Sequence, residues 1–328
     1  MALEKGCYNS ITDVDGVKVG HVTLYKTVDD EDTICTGVTA ILPHSENLFR
    51  KKVRAGAVVI NGFGKSTGLI QIDELGLIES PIMLTNTFSV GPVLEGALTY
   101  MLNQDKAIGD FASSINIVVG ECNDSYLNSM RFQAVRPEHA IQAIHRAKSG
   151  CIEEGDIGAG KGMVCFGYKG GIGTSSRQVT CQQMTYTVGC LVLSNFGKRQ
   201  EALFANFNQN KIETPDGSIM MIVATDAPLY DRQLKRLAKR CTASLGRTGS
   251  HIAHGSGDIA IAFSTANIYD YKKETPFETT TFLRDDHPIM NQLFQAVIES
   301  TENAIINSLK KAETTKGRKG RIVYKAPF

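Results

Sequence analysis

The stretch Arg247-Thr-Gly-Ser-His-Ile-Ala-His-Gly-Ser-Gly-Asp-Ile-Ala-Ile-Ala-Phe-Ser-Thr265 decides the fold. Just upstream of it, residues 232–245 place Leu234, Leu237, Ala238, Cys241 and Leu245 at helical spacing. Gly246 then offers a helix stop. Downstream, Gly255-Ser-Gly-Asp258 leads into the apolar run 259–265, which has the length and composition of a buried strand. A helix therefore ends, a loop turns, and a strand begins, with the dipeptide Gly249-Ser250 at the turn. Such a dipeptide on its own is ordinary loop chemistry, so its meaning depends on the rest of the chain.

Working outward, short runs rich in β-branched residues predict strands over 17–23, 37–42, 56–61, 82–87, 115–119, 163–168, 186–194, 218–225 and 259–265. Helices are predicted over 92–103, 137–149, 229–245 and 288–309; the first, second and fourth open on proline, which suits a first helical turn. Runs of strands with helices set apart point to an α+β layered fold. Glycine punctuates the chain evenly and no Pro/Ser-rich or charged linker divides it, which favours one domain over 1–328. No internal repeat is visible.

The 328 residues carry a net charge of +1, which gives no reason to expect nucleic acid or an anionic membrane as partner. No stretch approaches the roughly 18 apolar residues that span a bilayer. Met1-Ala-Leu-Glu-Lys-Gly-Cys7 has no apolar run, so no secretory signal is expected. The eight cysteines are scattered and never form Cys-x-x-Cys, so reduced thiols in a cytoplasmic protein are expected.

Several blocks, in order along the chain, give the Gly-Ser dipeptide its context. They are Ile11-Thr-Asp-Val-Asp-Gly-Val-Lys-Val-Gly-His21, Thr36-Gly-Val-Thr-Ala40, Gly56-Ala-Val-Val-Ile-Asn-Gly-Phe-Gly-Lys65, Val119-Gly-Glu-Cys-Asn-Asp-Ser-Tyr-Leu-Asn128, Gly170-Gly-Ile-Gly-Thr-Ser-Ser-Arg177 and the segment 247–265. Together they resemble the self-processing N-terminal-nucleophile aminopeptidases, the D-/L-aminopeptidase/esterase and β-aminopeptidase type (S58-like). The resemblance implies an αββα four-layer sandwich. It further implies an inactive precursor cut between Gly249 and Ser250 into a large subunit, 1–249, and a small one, 250–328. It also implies a homo-oligomer, commonly a tetramer, acting without metal or organic cofactor on small peptides, amides or esters.

The chemistry fits those residue types. A serine hydroxyl needs a base beside it, and an α-amine, with a pKa near about 7.7–8.0, can hold or release a proton at neutral pH. A Ser at a chain start carries that base itself, but only once the preceding bond is broken. Gly249, without a Cβ, can adopt dihedrals that open its carbonyl to the hydroxyl. Acyl transfer also needs a preorganised oxyanion donor. Asn195, ending a strong strand in Leu-Ser-Asn-Phe-Gly, matches the family's oxyanion asparagine, and Tyr126 matches an active-site tyrosine. Read from the residues alone, Asn195 also suits a turn and Tyr126 a packing role. On the last helix Phe294, Ile298, Ile305 and Leu309 form a stripe that takes in Glu302 by angle. A carboxylate there needs a partner, such as an ammonium at Ser250. The alternative is a helix rim, with Glu302 snorkelling or paired with a lysine. The family also uses a Ser two residues before such a Glu, which points to Ser300, although residues two apart face opposite sides of an ideal helix.

Three signals are decoys. Gly155-Asp-Ile-Gly-Ala-Gly-Lys-Gly162 imitates a phosphate loop but ends in glycine where a hydroxyl must ligate Mg²⁺. His251-x-x-His254 has metal-pair spacing but no evident third ligand. The basic run 310–321 leads into Ile322-Val-Tyr324, as a solvated turn before a last strand does. The expected activity is thus an N-terminal serine hydrolase. The alternatives are an acyltransferase resembling the ornithine acetyltransferases, which use Thr, and an unprocessed binding or assembly relative.

Overall fold

The computed structural model describes residues 2–204, 217–271 and 275–328. Strands run at β1 (Lys18–Thr27), β2 (Thr33–Leu42), β3 (Lys51–Gly62), β4 (Leu77–Ile78), β5 (Ile82–Asn86), β6 (Val118–Cys122), β7 (Val164–Cys165), β8 (Tyr168–Lys169), β9 (Gly171–Cys181), β10 (Met184–Asn195), β11 (Ser218–Thr225), β12 (Gly257–Asp270), β13 (Thr315–Lys316) and β14 (Ile322–Val323). Helices are α1 (Leu69–Leu75), α2 (Val90–Gln104), α3 (Pro137–His145), α4 (Asp231–Thr248) and α5 (Ile289–Lys310).

Two sheets carry the architecture. One is four-stranded, β1-β2-β5-β6, and the other six-stranded, β4-β3-β12-β11-β10-β9. The pairs β5/β6 and β11/β12 are parallel and the remaining neighbours antiparallel. Side chains alternate across a strand, and β11 shows what that does here. Met220, Ile222 and Ala224 point into the core between the sheets with Ile41, Leu84, Leu191 and Ile261. Ile219, Met221 and Val223 point the other way, into a core shared with Leu234 and Leu237 of α4 and Val297 and Ile305 of α5. A third core joins the outer face of the four-stranded sheet, through Val38 and Met83, to Val93 of α2 and Ala140 of α3. The layers are therefore helix, sheet, sheet, helix, the αββα sandwich expected. Burial of every residue of β11 explains why it reads as an unbroken apolar run.

Glycine sets one of the close approaches. A Cβ on Gly173 of β9 would stand 1.9 Å from the carbonyl oxygen of Ala304 in α5. Only a bare backbone lets that helix lie down on the strand. The same glycine-rich composition hid β9 from sequence analysis, since glycine weakens a strand signal.

Two expectations are corrected. The strand predicted over 163–168 is a tight hairpin, because Phe166 (φ 49°) and Gly167 (φ 67°) both take left-handed backbone and reverse the chain between β7 and β8. The helix stop expected at Gly246 is not one: α4 continues through Arg247 and Thr248 and is capped by Gly249. Of the basic run near the C-terminus, residues 317–321 form the connection of a β13–β14 hairpin.

Candidate active site

Ser250 lies in the connection between α4 and β12, and the helix end fixes it there. Gly249 takes φ 110°, ψ −1°, the left-handed region that favours glycine. Its N–H donates to the carbonyls of Leu245 (3.2 Å) and Gly246 (3.1 Å), and the Ser250 N–H donates to Leu245 (2.9 Å). The segment 201–203 crosses directly over this turn. Leu203 N–H donates to the Thr248 carbonyl at 3.1 Å, and a Cβ on Gly249 would stand 1.7 Å from the Glu201 carbonyl oxygen. No residue with a side chain fits at 249. Beyond it, the Ser250 hydroxyl accepts from the Ile252 N–H at 3.1 Å, with Ile252 itself at φ 59°.

The loop after Ser250 is clamped by Asn61 at the end of β3. Its side-chain amide donates to the carbonyls of Ala253 (3.2 Å), His254 (3.1 Å) and Ser256. The Ser256 hydroxyl donates to Asp258 at 2.6 Å, and burial pushes the Asp258 carboxyl up to about 6, against the lowering effect of that hydrogen bond. Ser250, His251, Ser256, Phe196, Gly197 and Glu201 surround a cavity of about 20 Å³, room for a single water.

Asn195 ends β10 beside this cavity. It pairs across the sheet with Ser218, which pairs with Gly257, so the end of β10 and the start of β12 lie at one level. The Asn195 amide is buried and its orientation is fixed. Its Oδ1 accepts from the Val164 N–H at 2.8 Å, and its Nδ2 donates to the Asn123 carbonyl at 2.9 Å. Among the described residues the second amide hydrogen meets no acceptor. Tyr126, three residues after Asn123, packs against the small core formed by Cys35, Leu127, Val164 and Val323. The Arg321 guanidinium lies over its ring at 4.6 Å and donates to its carbonyl at 3.0 Å. Asn195 and Tyr126 thus stand on shared supports, the 123–126 loop and Val164.

On α5, Ser300 is fully buried and its hydroxyl donates to the Val297 carbonyl at 3.2 Å. Glu302 lies outside the buried face, paired at 2.7 Å with Arg247, three residues before Ser250. The buried carboxylate of this helix is Glu299, bonded to the Arg177 guanidinium at 3.1 Å. Phe294, Ile305 and Leu309 of the predicted stripe are buried, but Ile298 and Glu302 fall at its edge, because the buried face also takes in Thr301 and Ser308, polar in sequence, which turn inward and hydrogen-bond there. His251 contacts Glu201 at 3.4 Å, and among the described residues no group of three or more His, Cys, Asp or Glu is placed to hold a metal.

Sequence analysis missed Asn61 and Asn123. Asn61 carried one signal, an asparagine ending a strand in Ile-Asn-Gly. Asn123 offers Asn195 its backbone carbonyl, which no residue type announces, while its Oδ1 accepts from the Ser125 N–H at 2.9 Å and shapes the loop.

The fold agrees with the comparisons to known proteins. Residues 9–323 match the family model for peptidase family S58. The chain is 39% identical over 348 aligned positions to the beta-peptidyl aminopeptidase BapA of Sphingosinicella microcystinivorans, covering 98% of this chain and 86% of that protein. The namesake from Sphingosinicella xenopeptidilytica is 36% identical, with 98% and 85% covered. Among solved structures, the PH0078 protein of Pyrococcus horikoshii OT3 superposes with a TM-score of 0.92 at 48% identity, covering 100% of this chain and 93% of that one. The beta-aminopeptidase of Burkholderia sp. gives 0.89 at 35% identity, covering 99% and 92%. The L-aminopeptidase D-Ala-esterase/amidase of Ochrobactrum anthropi gives 0.90 at 32%, covering 100% and 93%; it is described as a prototype for the serine aminopeptidases and a variant among the Ntn hydrolase fold. A chain with this sandwich, this family match along nearly its whole length and a Gly-Ser turn between α4 and β12 belongs to peptidase family S58, among enzymes of the Ntn hydrolase fold.

Proposed function

We propose that the chain is a self-cleaving N-terminal serine hydrolase that releases amino-acyl groups from the amino end of small peptides, amides or esters. The observation that carries this reading is the seat of Gly249, held left-handed between the last turn of α4 and the Glu201 carbonyl, with Ser250 next in the chain. In the precursor the Ser250 hydroxyl attacks the Gly249 carbonyl carbon. The C–N bond breaks, an ester forms on Oγ, and water hydrolyses it to free 1–249 from 250–328. The new α-amine then takes the hydroxyl proton as Ser250 attacks substrate and returns it to the leaving amine or alcohol; water next hydrolyses the acyl-enzyme, releasing the acyl group as its acid and restoring the Ser250 hydroxyl. The free hydrogen of the Asn195 amide, with the Tyr126 hydroxyl, stabilises the oxyanion in both steps. Glu302, now paired with Arg247, exchanges partners to orient the ammonium, and Ser300 braces the α5 turn beneath it.

The names of the relatives support an amino-peptide substrate, with β-amino acyl groups one option. Assembly as a homotetramer and residence in the cytoplasm belong to the same proposal. All eight cysteines are free, which suits a reducing compartment, and no described helix is long and apolar enough to cross a membrane. The test is Ser250→Ala. The variant should remain one chain and turn over nothing; a processed Ser250→Ala chain refutes the assignment.

A further inference from the structure

Behind Asn195 lies a lysine that the reaction as described does not use. Lys169, on β8 of the hairpin misread as one strand, is fully buried. Its ammonium donates to three carbonyl oxygens, Gly160 (2.9 Å), Met163 (2.9 Å) and Gly170 (2.8 Å), one for each N–H. Gly160 belongs to the phosphate-loop decoy, so that glycine run encloses a cation of this chain rather than an anion. A buried ammonium is costly unless fully bonded. Burying one here only to anchor a hairpin would be an expensive arrangement, since an apolar side chain of similar length fills the same space.

The bond to Met163 shows what the charge does. The Met163 carbonyl and the Val164 N–H belong to one rigid peptide unit. Its oxygen accepts from Lys169, and its N–H donates to Asn195 Oδ1 at 2.8 Å. Fixing Oδ1 sends Nδ2 to the other side, where one hydrogen meets the Asn123 carbonyl and the other meets no acceptor among the described residues. Phe166 N–H, in the same hairpin, donates at 2.7 Å to the carbonyl of Phe196, the residue after Asn195.

We infer that Lys169 is a positioning residue for the oxyanion donor: its ammonium locks the peptide unit 163–164, and that unit sets the orientation of the Asn195 amide. The inference rests on Asn195 being the oxyanion donor. Only the charged form has three N–H groups for three carbonyls; the neutral amine has two and turns a lone pair toward the third. Four titratable groups face the ammonium: Cys35 from β2, Asp156 just before the turn at Gly158–Gly162, Lys161 within that turn, and Asp124 from the loop after β6. Burial, the largest influence, brings Lys169 down to about 8. The lock is therefore complete below about 8 and is lost as the pH rises through that value.

The test is a double-mutant cycle in the full-length chain, with turnover expressed per cut chain as counted by intact mass. Lys169→Met should lower kcat by about 10- to 100-fold with KM within about twofold, the size expected when a catalytic group is displaced rather than removed. In an Asn195→Ala background the same substitution should cost less than about twofold, because the group it positions is gone. Equal losses in both backgrounds, or a loss confined to KM, overturn the inference and leave Lys169 a structural anchor. An Asn195→Ala chain with unchanged kcat instead brings down the oxyanion reading, and this inference with it. Should Lys169→Met fail to fold, the pH profile decides. The wild-type kcat should fall above about pH 8, and that fall should be absent in Asn195→Ala. A basic limb with the same midpoint in both chains overturns the inference.

Discussion

Gly249→Ala, set against Gly246→Ala, tests the helix end that carries the proposed cut. At 249 an alanine meets two costs. Its backbone must hold φ 110°, which costs a residue with a Cβ about 1–3 kcal/mol. Its Cβ would also stand 1.7 Å from the Glu201 carbonyl oxygen and 3.2 Å from the Leu203 nitrogen. Both are backbone atoms, so no rotamer change relieves the overlap. The 201–203 segment must move away, losing the Leu203–Thr248 hydrogen bond at 3.1 Å, worth about 1 kcal/mol. The sum is about 2–4 kcal/mol, and at about 2 °C per kcal/mol for a chain of this size it lowers Tm by roughly 4–8 °C. At 246 nothing lies within 4 Å of where a Cβ would stand, and the residue is helical, so alanine should raise stability by about 0.5–1 kcal/mol. Thermal unfolding of the two variants beside wild type measures the stabilities, and a mass time course follows the cut. The Gly249 variant should be destabilised and slow to cut, and the Gly246 variant neither. Equal effects at the two positions, or a Gly249 variant with wild-type Tm and cutting, refute the reasoning.

Three further perturbations address the site. Asn195→Ala should lower kcat by roughly 10²–10³ with KM little changed; steady-state kinetics per cut chain checks this, and a loss confined to KM moves Asn195 to substrate binding. Activity should fall as the pH drops through the α-amine pKa. Glu302→Gln should move that acid limb of kcat to lower pH by up to about one unit, because removing a nearby negative charge favours the neutral amine. A limb that stays in place confines Glu302 to its bond with Arg247. For Asp258 the folded value of about 6 lies above the unfolded 3.8. Its contribution to stability is therefore complete below 3.8 and is lost as the pH rises through about 6. Between pH 5 and 8 wild type should lose about 1 kcal/mol that Asp258→Asn keeps, and urea unfolding at the two pH values compares them.

The layered fold was legible because most of its strands announce themselves. Within β11 the run 219–224 is apolar throughout since the strand is buried on both faces, and 259–263 is apolar because it belongs to the strand paired beside it. What escaped was set by contacts distant in sequence. Gly246 and Gly249 are equivalent as local helix stops; the choice between them is made by residues 201–203 crossing over the turn. Residues 163–168 have strand composition, yet left-handed backbone at Phe166 folds them back, with the Phe166 ring locked against Phe196 and Phe204. Ser250 stood out through family blocks rather than its own chemistry. Glu302 shows the limit of helical angle as a guide, since the actual face includes polar Thr301 and Ser308. Lys169 left no trace at all: a lysine is a surface residue by default, and only the three carbonyls enclosing it reveal otherwise.

The central claim, that the chain cuts itself at Gly249-Ser250 to make its own base, is tested most directly by the intact mass of the purified protein under denaturing conditions. The account predicts two species of about 27 and about 9 kDa, in proportion to residues 1–249 and 250–328 of a 35.7 kDa chain, the smaller one beginning at Ser250. A single species of 35.7 kDa that hydrolyses amino-acyl substrates would contradict it.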